Sequence, residues 1–102
     1  MAEAQAAEIK KLGVVGAGQM GLGIALTASR MAGVPVTVVD NSQQALDNGL
    51  AFADKLLKKD VQKEKLSQED ADAARQRLTA STSMDDLGDV DMVIEAVPEK
   101  AI

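Results

Sequence analysis

Six residues near the start of the chain, Gly16-Ala17-Gly18-Gln19-Met20-Gly21, have the spacing G-x-G-x-x-G. A loop of this kind works through its backbone. Glycines leave N–H groups bare, and a helix that starts on them adds the positive end of its dipole, a combination that attracts a diphosphate. Gly16 would turn the chain out of a strand, Gly18 would let a pyrophosphate approach with no Cβ in the way, and Gly21 would let the helix pack close to a sheet. Asp40 lies 19 positions beyond Gly21 (40 − 21). That is near the ~20 expected of an acid that takes both hydroxyls of an adenosine ribose. A fixed carboxylate there repels a 2′-phosphate, and Asn41 and Ser42 bring no arginine to offset it. The pattern therefore favours NAD over NADP. FAD and S-adenosylmethionine sites share its first half and stay open on these residues alone. The plain structural alternative is a tight connection, with Asp40 capping a helix.

Other chemistry is closed by composition. The 102 residues include no histidine, cysteine, tryptophan or tyrosine, and one phenylalanine, Phe52. This excludes an imidazole acid or base, a thiolate nucleophile, a sulfur-based zinc site and an aromatic platform for bases. No residue is assigned a catalytic role and no metal is expected. The net charge is −5, unsuited to general nucleic-acid binding. Lys55, Lys58, Lys59, Lys63 and Lys65 alternate with Asp54, Asp60 and Glu64 and read as a solvated helix face. The uncharged run Leu12–Ser29 is just long enough to test as a membrane span. Its glycines, Gly13, Gly16, Gly18, Gly21 and Gly23, argue against one. Glu3 and Glu8 offset Lys10 and Lys11, which disfavours a signal peptide. Cytoplasm is the expected compartment, with the mitochondrial matrix as the alternative.

The elements that would position the loop follow from patterning. Residues 1–8 read as a flexible leader, and residues 9–102 as one domain. Ile9–Val15 reads as a strand running into the glycine loop. A helix follows over Gln19–Ala32, with Met20, Ile24, Thr27 or Ala28, and Met31 at helical spacing and a small-residue face of Gly21, Ala25 and Ala28. Gly33 and Pro35 end it. Val36–Val39 is a β-branched strand ending on Asp40. Asn41 or Ser42 caps a helix whose stripe is Leu46, Leu50, Ala53 and Leu57. After a break at Gln62–Leu66, Ser67 to Asp70 resembles a capping box and opens a third helix facing inward through Ala71, Ala74 and Leu78. Leu78–Ser83 turns into a short strand, Met84–Gly88 is a turn, and Val90–Val97 is a largely apolar strand. The order β-α-β-α-α-β-β predicts an α/β, Rossmann-type doubly wound parallel sheet of about four strands.

Taken together, GAGQMGLGIA, VTVVD and VIEAVPE resemble the L-3-hydroxyacyl-CoA dehydrogenase family, and within it the 3-hydroxybutyryl-CoA dehydrogenase branch. KLSQEDADAARQRLTAST is also similar, so the resemblance spans residues 9–102. It implies that Gly16, Ala17, Gly18, Gln19, Met20, Gly21 and Asp40 bind NAD. It further implies that Ala96, Val97 and Glu99 lie beside the cofactor; a solvated helix-start acid is the plainer reading of Glu99. Glu95 reads as an end-of-strand residue. The helix after the second strand would help hold coenzyme A, although Lys58 and Lys59 read first as solvated.

The family's histidine–glutamate pair and its polarising Ser and Asn have no counterparts in these residues. Ser81 and Ser83 do not replace them. The expectation is the first part of a longer enzyme that oxidises (S)-3-hydroxyacyl-CoA to 3-oxoacyl-CoA in fatty acid metabolism, by itself without catalysis. The parent's expected partners are an acyl-CoA substrate and further copies of itself in a homo-oligomer, with no nucleic acid and no membrane. The competing reading is a non-catalytic nucleotide-binding or self-associating module derived from a dehydrogenase. A piece of a multifunctional β-oxidation protein is less expected, because Met1 stands so close to the first strand.

Overall fold

The computed structural model describes residues 10–96. Four short strands, β1 (Leu12–Val15), β2 (Val36–Val39), β3 (Leu78–Ser81) and β4 (Met92–Glu95), form one sheet in the order β3-β2-β1-β4. Every pairing is parallel, and β1 lies between β2 and β4 with Val14 opposite both Val38 and Ile94. The chain moves outward from β1 through β2 to β3, then returns to the other side of β1. This is the doubly wound Rossmann-type arrangement expected from the sequence, with its switch point at the end of β1.

Three α-helices, α1 (Gln19–Thr27), α2 (Gln43–Gln62) and α3 (Gln68–Gln76), supply the cover. Alternation along the strands sends Leu12, Val14, Val36, Val38 and Leu78 to one face, where they join Leu22, Ala25, Leu26, Leu46, Ala53, Leu57, Ala71 and Ala74 in a single core. Burying a leucine or valine of this set contributes roughly 1.5–3 kcal/mol. The return from β3 to β4 crosses the opposite face through a 3₁₀ turn, Met84–Leu87, which brings Leu87 and Val90 over Gly13.

The helix starts follow their sequence signals. The Ser42 side chain accepts from the Ala45 N–H at 3.1 Å, and the Ser67 side chain from the Asp70 N–H at 3.0 Å. Gly33 stands in the left-handed region at φ 67° and ends the first helical segment as expected. β1 and β4 begin later than predicted, at Leu12 and Met92, and pair with each other from those residues.

The small-residue face of α1 is buried at Gly21 and Ala25, as expected, whereas the stripe through Met20 and Met31 is not. Met20 and Met31 are exposed, while Gly21, Leu22, Ala25, Leu26 and Ser29 are buried. The helix is apolar on both sides, so spacing alone does not say which side meets the sheet. Met20, Ile24, Thr27 and Ala28 instead line an open groove with Leu12 and Ile94. The helix also widens into a π turn over Ala28–Ala32. There the buried Ser29 donates its hydroxyl to the Leu26 carbonyl, and its own carbonyl accepts from the Arg77 guanidinium at 2.7 Å. Arg30 pairs with Asp60 at 2.7 Å beside it.

At the start of β4, Asp91 Oδ2 accepts from the Lys10 and Lys11 N–H groups at 2.7 and 2.9 Å. Those two bonds, Lys10's first, hold the Asp91 carboxyl below the usual carboxylate range. Lys11 pairs with Asp89. The hydrogen bond between them raises the lysine's pKa and lowers the aspartate's.

Candidate functional site

The glycine loop leaves β1 at Gly16, whose φ of 109° is a region that side chains strain to enter. Its N–H donates to the Val39 carbonyl at 2.7 Å, which ties the turn to the end of β2. Gly21 lies against that turn: a Cβ on it would stand 1.9 Å from the Gly16 carbonyl oxygen. Only a bare Cα permits this approach. Gly18 is the opposite case. It is exposed, and a Cβ there would meet no protein atom within 4 Å. Space is therefore kept in front of the backbone at the start of α1.

That start is chemically uncommitted. Gly18 gives no side-chain cap, and no acid stands in the first turn of α1. The first N–H groups of a helix have no partners within it. The arrangement thus offers donors and a positive dipole end to an anion. Gly16, Ala17 and Gly21 are buried as its foundation, while Gly18, Gln19 and Met20 form its exposed rim.

Asp40 joins the loop to the end of β2. Its Oδ2 accepts from the Ala17 N–H and its Oδ1 from the Ser42 N–H, both at 3.0 Å. The carboxylate is thereby fixed, partly exposed, on the edge of a cleft of about 300 Å³. The cleft is lined by Val15, Gly16, Val39, Asp40, Asn41, Thr82 and Met84. A carboxylate oxygen accepts more than one hydrogen bond, so acceptor capacity remains for ligand hydroxyls.

Thr82 and Met84 were not singled out by the sequence. The only signal for them was a turn rich in serine and aspartate. Within it the Ser81 hydroxyl meets Asp86 Oδ2 and accepts from the Ser83 N–H at 3.0 Å. Ala96, expected beside the cofactor, is buried next to the loop and donates its N–H to the Val15 carbonyl at 2.8 Å. Val97 and Glu99 lie outside the described residues. Lys58 and Lys59 are exposed on α2. Among the described residues there is no group of three acidic side chains placed to hold a metal, and no helix long and apolar enough to cross a membrane.

A parallel sheet reversing at β1, a glycine turn opening α1 and an acid closing β2 define a dinucleotide-binding domain of the Rossmann class. The pattern described as 3-hydroxyacyl-CoA dehydrogenase, NAD binding domain, matches residues 11–102. The chain belongs to that family as its NAD-binding domain.

It is 44% identical over 95 residues to 3-hydroxybutyryl-CoA dehydrogenase of Bradyrhizobium diazoefficiens, covering 93% of this chain and 32% of that protein. It is also 44% identical over 98 residues to the fatty acid oxidation complex subunit alpha of Idiomarina loihiensis, covering 96% of this chain and 14% of that protein. The crystal structure of (S)-3-hydroxybutyryl-CoA dehydrogenase from Ralstonia eutropha superposes with a TM-score of 0.87 at 41% identity, covering 92% of this chain and 33% of that one. The chain thus spans about a third of the length of the 3-hydroxybutyryl-CoA dehydrogenases it matches.

NAD fits the residues present. The open space before Gly18, the uncapped start of α1 and the fixed carboxylate at the cleft supply a phosphate seat and a hydroxyl acceptor at the two places where a dinucleotide needs them.

Proposed function

We propose that this chain is the cofactor-holding part of an enzyme interconverting (S)-3-hydroxyacyl-CoA and 3-oxoacyl-CoA, with 3-hydroxybutyryl-CoA as the substrate class its relatives' names suggest. The observation that carries this reading is the uncapped start of α1 held against Asp40 through the Ala17 N–H. When bound, NAD supplies the hydride acceptor.

This chain's residues supply grip and orientation. Backbone N–H groups at Gly18, Gln19 and Met20 face the diphosphate, while Gly16, Ala17 and Gly21 shape the turn beneath them. Asp40 accepts from the adenosine ribose hydroxyls and disfavours a 2′-phosphate. Asn41, Thr82 and Met84 wall the cleft beyond the ribose. Ala96 sits at the neighbouring strand end, beside the loop.

Removal of the substrate hydroxyl proton needs a base near neutrality. The sequence has no histidine to provide one. Acid–base chemistry is therefore assigned outside these residues, and the chain alone is expected to give no turnover with acetoacetyl-CoA and NADH. Titration calorimetry tests the cofactor reading directly. NAD and ADP-ribose should bind and NADP should bind more weakly; absence of binding by NAD and ADP-ribose removes the proposal.

A second reading, self-association, has one observation in its favour. β4 is an edge strand among the described residues, and Met92 and Val93 on it are about half exposed. Sedimentation of the 102-residue chain tests it: a monomer at all concentrations would end it.

A further inference from the structure

A helix that the glycine motif does not mention holds the loop from behind. Gly49 is buried in the interior of α2. A Cβ built on it would stand 2.7 Å from the Ala17 carbonyl oxygen, 2.6 Å from Leu22 Cδ2 and 3.0 Å from Leu22 Cγ. The Leu22 atoms belong to a side chain packed in the core, so crowding them costs packing without moving the loop backbone. The Ala17 oxygen belongs to the backbone of the loop and moves only with its whole peptide.

The peptide it belongs to is the one that matters. Peptide units are planar, so the Ala17 carbonyl and the Gly18 N–H share one rigid plate. Pushing the oxygen tilts the N–H that opens α1. On its other side Ala17 is already fixed, because its own N–H donates to Asp40 Oδ2 at 3.0 Å. Ala17 is buried and Gly18 is exposed, so this plate is the last one anchored in the fold before the free donors begin. Glycine is the poorest helix former after proline, and its place inside a long helix calls for a reason of this kind.

We propose that Gly49 is a positioning residue for the cofactor. Its bare Cα lets α2 close onto the Ala17 carbonyl, and that contact sets the direction of the Gly18 N–H toward the diphosphate. The proposal rests on the reading of the loop as an NAD site.

The test is Gly49→Ala in the 102-residue chain. It is measured by calorimetry with NAD and with ADP-ribose, by thermal melting, and by the amide spectrum without ligand. Both ligands should weaken about tenfold, and the Gly18 amide resonance should move. The pair Leu22→Ala and Leu22→Ala/Gly49→Ala separates the two neighbours. With Leu22 shortened, the added methyl has only the carbonyl left to meet, so the affinity loss should persist while the methyl lowers melting less than it does with Leu22 in place. The same pair is the comparison used should Gly49→Ala itself not fold. Wild-type affinity in Gly49→Ala, or an affinity loss that vanishes in the Leu22→Ala background, would show Gly49 to serve packing alone and overturn the proposal. Failure of the unaltered chain to bind either ligand would instead overturn the NAD reading beneath it.

Discussion

The two ends of the same four strands are built to opposite rules. At the end where the strands begin, polar groups are spent on one another. Asp91 takes two backbone N–H groups, Lys11 pairs with Asp89, and Arg77 occupies the Ser29 carbonyl. At the end where they finish, the loop amides of Gly16 and Ala17 are tied down but the start of α1 is left without a cap. Three serines, Ser42, Ser67 and Ser83, cap the other helical starts. The fold can evidently satisfy a helix N-terminus when nothing else is to occupy it. What separates a structural end from a binding end is therefore which donors remain uncommitted, since neither hydrophobicity nor charge count divides them.

Four substitutions probe that contrast. The largest effect is expected of Gly21→Ala at the binding end. Its methyl would overlap the Gly16 carbonyl, and stability measured by urea denaturation should fall by about 3 kcal/mol. Near-normal stability would mean that the turn is looser than described. Asp40→Ala comes next. It removes an ionised acceptor, and such hydrogen bonds contribute about 1.5–3 kcal/mol, so NAD affinity should fall at least tenfold and the preference over NADP should narrow. Calorimetry with both nucleotides checks this; an unchanged ratio would separate Asp40 from the ribose.

At the structural end, Arg77→Met should lower stability by about 1.5 kcal/mol through the bereft Ser29 carbonyl, with NAD affinity unaltered. A loss of affinity there would erase the distinction between the ends. The smallest effect is a pH dependence. Because the folded state lowers the pKa of Asp91, its contribution is complete above the ordinary carboxylate value of 3.8 and is lost as pH falls through the lowered one. Acid unfolding of Asp91→Asn should lack this component; superimposable acid profiles would assign the acid sensitivity to other carboxylates.

Much of this was legible in the residues. Gly16, Gly21 and Asp40 announce their places because each does something only its type can do: a positive φ, an approach without Cβ, a short fixed carboxylate. Ser42, Ser67 and Gly33 are readable for the same reason. The buried face of α1 was legible only through its small residues, Gly21 and Ala25, since Met20, Ile24 and Met31 are as apolar as Leu22 and Leu26. Periodicity gives a phase only when one side is polar. The π turn at Ala28–Ala32 takes a hydrogen bond from Arg77, far along the chain, and has no local signature. Thr82 and Met84 reach the cleft through a turn whose direction is set by Ser81 and Asp86. Gly49 reads locally as a weak spot in a helix, and its neighbours Ala17 and Leu22 become visible only in three dimensions.

The register around β1 also orders events in time. Leu12 pairs with Val36, 24 positions on, and with Met92, 80 positions on. Closing the longer loop costs about 1 kcal/mol more. The reward is smaller too, because Met92 and Val93 remain half exposed while Val36 and Val38 are sealed. β4 should therefore dock late in folding and open early from the native state, its amides exchanging with deuterium ahead of those in β2. The glycine turn hangs from the Val39 carbonyl and from Asp40. Its grip on a nucleotide is thus wired to the early-forming half of the sheet and outlasts each departure of β4.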